Sequence, residues 1–240
     1  MRPGRHRGHR EILVAALNVR ARSVVLRGFG VRRYAPSMSG SFAANFVTDN
    51  GEFGIKINNT SHVSIWNNTF VGNGRSINIV QDSRRPTSAS TTGRDYRQPF
   101  PNPTMTWVNG PVSVTNNIIA NQRSGECMLC VEDYTHQRSA ADTGVTANSN
   151  IYNRVSSNLP SWLVVWSRGA GDPAVYSTFA DFRAGTGQEA SGQYFGSPAI
   201  VDAAGAPTAT TTNTAQALPA AVATDAGKAT GTKHQGAWSH

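Results

Sequence analysis

The chain has few cysteines, few charges and no long apolar run. Only two of its 240 residues are cysteine, Cys127 and Cys130. A structural zinc site takes about four ligands, and no second Cys-x-x-Cys follows. A zinc module is therefore not expected. Positions i and i+3 of a regular strand point to opposite faces, so a local disulfide would need a distorted backbone, and the two cysteines are expected to be reduced or partly buried. Charged residues are only 15% of the chain. The surface must then be covered largely by Asn, Ser, Thr, Gly and Gln, a balance that suits a β-rich, extracellular-type protein. No apolar run approaches the ~20 residues of a membrane helix, so no membrane partner is expected. Residues 12–17 are apolar and follow a basic stretch, but Glu11 precedes them and arginines follow. They make no clear signal peptide. Acids are scarcer than bases, which leaves a formal charge of +8. Four arginines in MRPGRHRGHR carry half of it. Such a segment reads first as a solvated tail. Nucleic acid is not the expected partner, and the remaining mild excess fits an acidic polysaccharide.

What the chain does have is a repeat. VSIWNNTFVGN at 63–73 recurs as VSVTNNIIANQ at 112–122, more weakly as VTANSNIYN at 145–153 and ANFVTDN at 44–50, and in degenerate form as VVLRGFGV at 24–31. Each copy is a short alternating strand, a polar corner with Asn or Gly, a second strand and turn residues. The markers Asn45, Asn68, Asn117 and Asn150 are 23, 49 and 33 residues apart. The first spacing is one bare repeat; the other two carry insertions. A period in the low twenties with several strands per repeat is a solenoid signature. The expected fold is all-β, a single-stranded parallel β-helix in which stacking coils builds one continuous core. Equivalent Asn side chains would then lie above one another, ~4.8 Å apart, as an amide ladder.

VSIWNNTFVGN and VSVTNNIIANQ resemble the repeats of right-handed parallel β-helix proteins of the pectate-lyase-like superfamily. FADFRAGTGQE at 179–189 and GSPAIVD at 196–202 resemble the C-terminal coils of such proteins. The resemblance spans residues 21–204 and implies a right-handed solenoid. It is not specific for activity, because the superfamily holds lyases, hydrolases, epimerases and non-catalytic binders. The spacing from Gly28 to Asn45 is too short for a clean coil, so the N-terminal end is expected to be truncated relative to that fold. Three parts follow: a basic segment 1–20, the β-helix 21–204, and an Ala/Thr/Gly-rich tail or cap 205–240, with a docked cap favoured by its apolar residues.

Phase alignment puts Ile55 and Ile57, Ile77 and Ile79, Met128 and Cys130, and Val165 inward. It puts Lys56, Asn78, Leu129 and Val164 outward. Two further columns follow: Asn59, Gln81, Glu132 and Ser167, then Thr60, Asp82, Asp133 and Arg168. Insertions leave the coils just past Asp82, Asp133 and Arg168. Loops that exit at one corner build the walls of a cleft. Its inventory is Asp82, Arg84, Arg85, residues 94–97, Glu132, Asp133, Tyr134, His136, Arg138 and Arg168, with Trp107, Trp162 and Trp166 nearby. Asp82, Asp133, His136 and Arg168 are the candidate catalytic residues. Lys56, Arg84, Arg85, Glu132, Tyr134, Arg138 and Trp166 are the candidate substrate-binding residues. Asp82, Glu132 and Asp133 are candidate ligands for Ca²⁺.

Arginine suits carboxylate recognition. A lyase or epimerase would abstract the proton beside a uronate carboxylate with His136, Tyr134 or Lys56. A glycoside hydrolase would instead use Asp82 and Asp133 as a stacked pair. The Asp-Asp and His-Gly pairs associated with polygalacturonases of this fold are absent. The expectation is a secreted-type or cell-surface monomer that recognises a polysaccharide. It remains open between lyase or epimerase, non-catalytic module and hydrolase.

Overall fold

The computed structural model describes residues 24–27, 40–84, 100, 107–122, 127–202, 208 and 214–238. The basic segment 1–20, Arg85 and residues 94–97 lie outside the described residues.

The strands in chain order are β1 Val24–Arg27, β2 Gly40–Ala43, β3 Asn45–Thr48, β4 Phe53–Asn58, β5 Val63–Trp66, β6 Thr69–Val71, β7 Arg75–Gln81, β8 Val112–Thr115, β9 Ile118–Ala120, β10 Cys127–Asp133, β11 Val145–Asn148, β12 Ile151–Asn153, β13 Trp162–Trp166, β14 Ala174–Tyr176 and β15 Gln193–Phe195. They form three sheets. The first stacks β1-β3-β6-β9-β12-β15, the second β2-β5-β8-β11 and the third β4-β7-β10-β13-β14. From β2 to β13 the chain visits the second, first and third sheets in that order, four times over. All pairings but one are parallel; β14 runs antiparallel to β13. Stacked parallel sheets visited in a constant cycle are what a β-solenoid requires.

Short strands alternate between an inner and an outer face. The inner columns are Phe42–Ile65–Val114–Ala147, Val47–Phe70–Ile119–Tyr152, and Ile57–Ile79–Val131–Trp166. They meet in one apolar cluster, with Phe42 and Ile57 packed against it. The helix α1, Phe179–Thr186, lays the buried Phe182 against Trp166 and Tyr176 of the last coil. Thr178 caps it by accepting from Asp181 N, and Gly187 ends it in the left-handed region at φ 68°, where glycine bears no Cβ penalty.

The corner Asn residues form the ladder that the repeat predicts. Asn45 Nδ2 donates to Asn68 Oδ1 at 2.9 Å, Asn68 Nδ2 to Asn117 Oδ1 at 3.0 Å, and Asn117 Nδ2 to Asn150 Oδ1 at 2.9 Å. Each acceptor oxygen also takes the backbone N–H of the donor residue. Where a fifth amide would stand there is Glu189. It accepts from Asn150 Nδ2 at 2.6 Å, Asn150 N at 3.1 Å and Tyr152 Oη at 2.9 Å. Burial pushes its pKa up to about 7, against the lowering effect of those donors and of Arg183.

The first Asn of each pair has a different task. Asn67 and Asn116 sit at φ 54° and 58° and turn the corner. Their side chains face the C-terminal segment, where they donate to His234 O and Gln216 O. Gly236 N and Ala237 N return the contact to Asn116 O and Thr69 Oγ1. The helix α2, Ala220–Ala226, brings Val222 and Ala223 with Leu218 onto Trp66. Residues 214–238 therefore run along the outside of a corner rather than across an end.

Two expectations are corrected. Cys127 and Cys130 are joined in a disulfide with their Cα atoms 5.7 Å apart, not reduced. The alternation also slips by one residue between β7 and β10. Leu129 and Val131, not Met128 and Cys130, stand over Ile77 and Ile79, and Val164 and Trp166 follow them, not Val165. A slip of one exchanges the two faces of a strand.

Candidate functional site

The corner after the third sheet is where the three insertions leave. Register decides which of its residues are level. Asp133 stands over Gln81 and Glu132 over Val80. Asp82 is therefore not stacked on Asp133, as the sequence alignment expects; it lies one step on, where Tyr134 N donates to Gln81 O.

Each acid is held by its own neighbours. Both carboxylate oxygens of Asp82 accept from Arg84 Nε at 2.9 Å, and one also accepts Arg84 N. Burial pushes this carboxyl up, but the Arg84 bonds outweigh it, so its pKa lies below the ordinary value. Asp133 organises its loop. It accepts from Thr135 N at 2.8 Å, Thr135 Oγ1 at 2.6 Å, Gln137 N at 3.0 Å and Arg138 N at 2.7 Å. Burial raises this carboxyl too, and these donors hold it below its ordinary value. Glu132 projects from the outer face to accept from Asn78 Nδ2 at 2.7 Å and Arg75 Nη1 at 3.2 Å. Three acids with three separate sets of partners do not make a cation cage. Among the described residues no three of His, Cys, Asp and Glu converge on a metal position.

Trp166 is the clearest misassignment. It is buried in the core against Phe182, with no face for a sugar. Lys56 is exposed on the outer face, with Nζ 4.6 Å from the Phe53 ring centroid. Arg84 lies over Trp107 while it holds Asp82.

His136, Arg138 and Arg168 do share one place. His136 Nδ1 is 2.7 Å from Gly171 O. Arg168 donates through Nε and Nη2 to Asp172 O at 3.0 and 2.8 Å. The loop after β10 and the loop after β13 are thus pinned together. Ser139 bridges to Arg168, and Ser167 Oγ donates to Arg138 O at 2.7 Å. A carbonyl only accepts, so Nδ1 of His136 carries the proton, and in the neutral ring Nε2 is the basic nitrogen. Arg138 Nη1 is buried with no hydrogen-bond partner. Tyr134, two residues before His136 in the chain, is 54% exposed.

Glu189 closes the stretch FADFRAGTGQE, and the sequence reading gives it no role. Its signal is present there all the same: it lies 39 residues past Asn150, in the phase where the next amide belongs.

No family model matches the chain, and neither a curated protein nor a solved structure does. No helix among the described residues is long and apolar enough to cross a membrane.

Proposed function

We propose that the chain is a right-handed parallel β-helix that binds a uronate-containing polysaccharide at the joined loops after β10 and β13, and acts on it as a lyase or epimerase. Parallel strands of one sheet are joined by right-handed connections in ~98% of cases, which supports the hand. The observation that carries the activity is the His136 contact to Gly171 O. It orients an exposed imidazole with Nε2 as base, next to Arg168. A uronate C5 proton is acidified when its carboxylate is neutralised, and a guanidinium can do this. Tyr134 offers a ring to a sugar face. The Cys127–Cys130 disulfide supports a secreted or cell-surface setting.

A second reading is a non-catalytic carbohydrate-binding module. It is favoured by the engagement of Asp82, Glu132 and Asp133 with protein partners. The same engagement weighs against a hydrolase built on Asp82 and Asp133.

The test is a panel of uronate polymers followed by ultraviolet absorbance for unsaturated ends, by a C5-epimer assay and by a reducing-end assay. Under the lyase or epimerase reading, His136→Ala loses about 10²–10⁴-fold in turnover and retains binding. Binding without turnover in the native chain selects the module. Silence in both refutes the proposal.

A further inference from the structure

The inner column of the first sheet ends on an exposed ring. Val47, Phe70, Ile119 and Tyr152 stand over one another in successive coils, and Tyr194 of β15 stands in register with Tyr152. The first four are buried. Tyr194 is 42% exposed. Among the described residues no strand follows β15 in its sheet, so a ring placed for a core lies open at the end of the solenoid.

The helix α1 completes a surface around this ring. Phe179 and Arg183 are four residues apart and share one helical face. The Phe179 ring centroid is 5.5 Å from that of Tyr152 and 6.2 Å from that of Tyr194, to which it is inclined by only 19°. Arg183 lies over Phe179 with Cζ 4.8 Å from the centroid. Its Nη2 donates at 2.7 Å to the carbonyl of Gly192, two residues before Tyr194. Two nearly parallel rings are thus held beside an exposed guanidinium. Among the described residues no carboxylate forms an ion pair with Arg183. Asp181, two positions away, is on a different side of the helix and accepts from Thr178 Oγ1 at 2.7 Å. Glu189 is buried and engaged by Asn150 and Tyr152.

We infer that this end of the solenoid is a second saccharide site, which takes an acidic pyranose with its C–H face on Tyr194 and its carboxylate on Arg183. The inference rests on the uronate reading of the loops after β10 and β13, which leave a different sheet. Aromatic side chains with a few placed polar groups line small-ligand sites, and a guanidinium matches a carboxylate. Charge complementarity favours this occupant over a second copy of the chain. A twofold contact places the same patch on both sides, which would set two Arg183 guanidinium groups against each other. The site holds the polymer and does no chemistry on it.

The experiment is calorimetric titration of the full chain with uronate hexamers, and with the same hexamers methylated at their carboxylates. Every chain in the titration also carries His136→Ala, so that binding is read without turnover. The variants are Tyr194→Ala, Tyr194→Trp and Arg183→Gln. Tyr194→Ala and Arg183→Gln should bind the acidic hexamers about tenfold more weakly. Arg183→Gln should lose nothing toward the methylated hexamers. Tyr194→Trp should keep the native affinity and change its emission on binding. With His136 intact, Tyr194→Ala should leave kcat unchanged. Binding that Tyr194→Ala and Arg183→Gln leave at the native level overturns this site while the loop reading stands. Equal weakening of Arg183→Gln toward acidic and methylated hexamers overturns the role of Arg183. A dimer in sedimentation that Tyr194→Ala dissolves overturns the saccharide as occupant and assigns the end to a second copy. Absence of binding without any of these substitutions overturns both saccharide readings.

Discussion

Glu189→Gln tests the end of the ladder most sharply. The carboxyl of Glu189 is fully buried and its pKa is raised to about 7 from 4.5. A raised carboxyl binds its proton more tightly folded than unfolded. Its contribution is present below about pH 4.5 and is lost as pH rises through about 7. At about 1.4 kcal/mol per unit, the native chain loses about 3 kcal/mol of this contribution between pH 5 and pH 8. The amide that Glu189→Gln introduces keeps the shape of the neutral acid. Its Oε1 can keep the donations from Asn150 Nδ2 and Tyr152 Oη, while its Nε2 replaces the oxygen that faces Asn150 N. The variant lacks this titration, so the stability difference between variant and native chain should shift by about 3 kcal/mol in the variant's favour from pH 5 to pH 8, whatever its offset at pH 5. Urea unfolding of both proteins at several pH values gives the difference. Comparing the two proteins also cancels His234, whose pKa is lowered by burial and which titrates nearby with the opposite sign. Asp82 and Asp133 are held low and act only in acid. Parallel pH curves for native chain and variant would refute the argument.

Other outcomes follow from the packing. Asn117→Ala removes two donations and strands Asn68 N and Nδ2; a loss of about 3–5 kcal/mol is expected by denaturant unfolding. Trp166→Ala should cost about 3–5 kcal/mol as a core deletion, whereas Tyr134→Ala should leave the unfolding midpoint unchanged. Replacing Cys127 and Cys130 together by Ala opens a very short loop, so chain entropy limits the loss to about 2 kcal/mol. The same unfolding assay measures it.

Much of the scaffold is legible because its signals are local and repeated. The Asn spacing sets the phase of the ladder. Ile55 and Ile57 align with Ile77 and Ile79 as their alternation requires. CMLCVED and WLVVW give no such cue. Both faces of those strands are buried, so the apolar run has no period to read, and the register slips by one. That slip moves Trp166 to the wrong face and puts Asp133 over Asp82. The disulfide escapes any reading that assumes a regular strand across Cys127 and Cys130. The corner loops do point to His136 and Arg168. Which acids are spent on Arg84, Thr135 and Asn78 depends on side-chain geometry that no spacing carries.

The ladder has a direction. In every link the NH₂ end of one amide faces the oxygen of the next, always toward the later coil. The side-chain dipoles therefore add along the axis, as peptide dipoles do in a helix. Their positive pole emerges at Asn150 Nδ2, and the residue waiting there is the acid Glu189. That pole works against the burial that raises the Glu189 pKa to about 7, at the end of a column that runs through four coils.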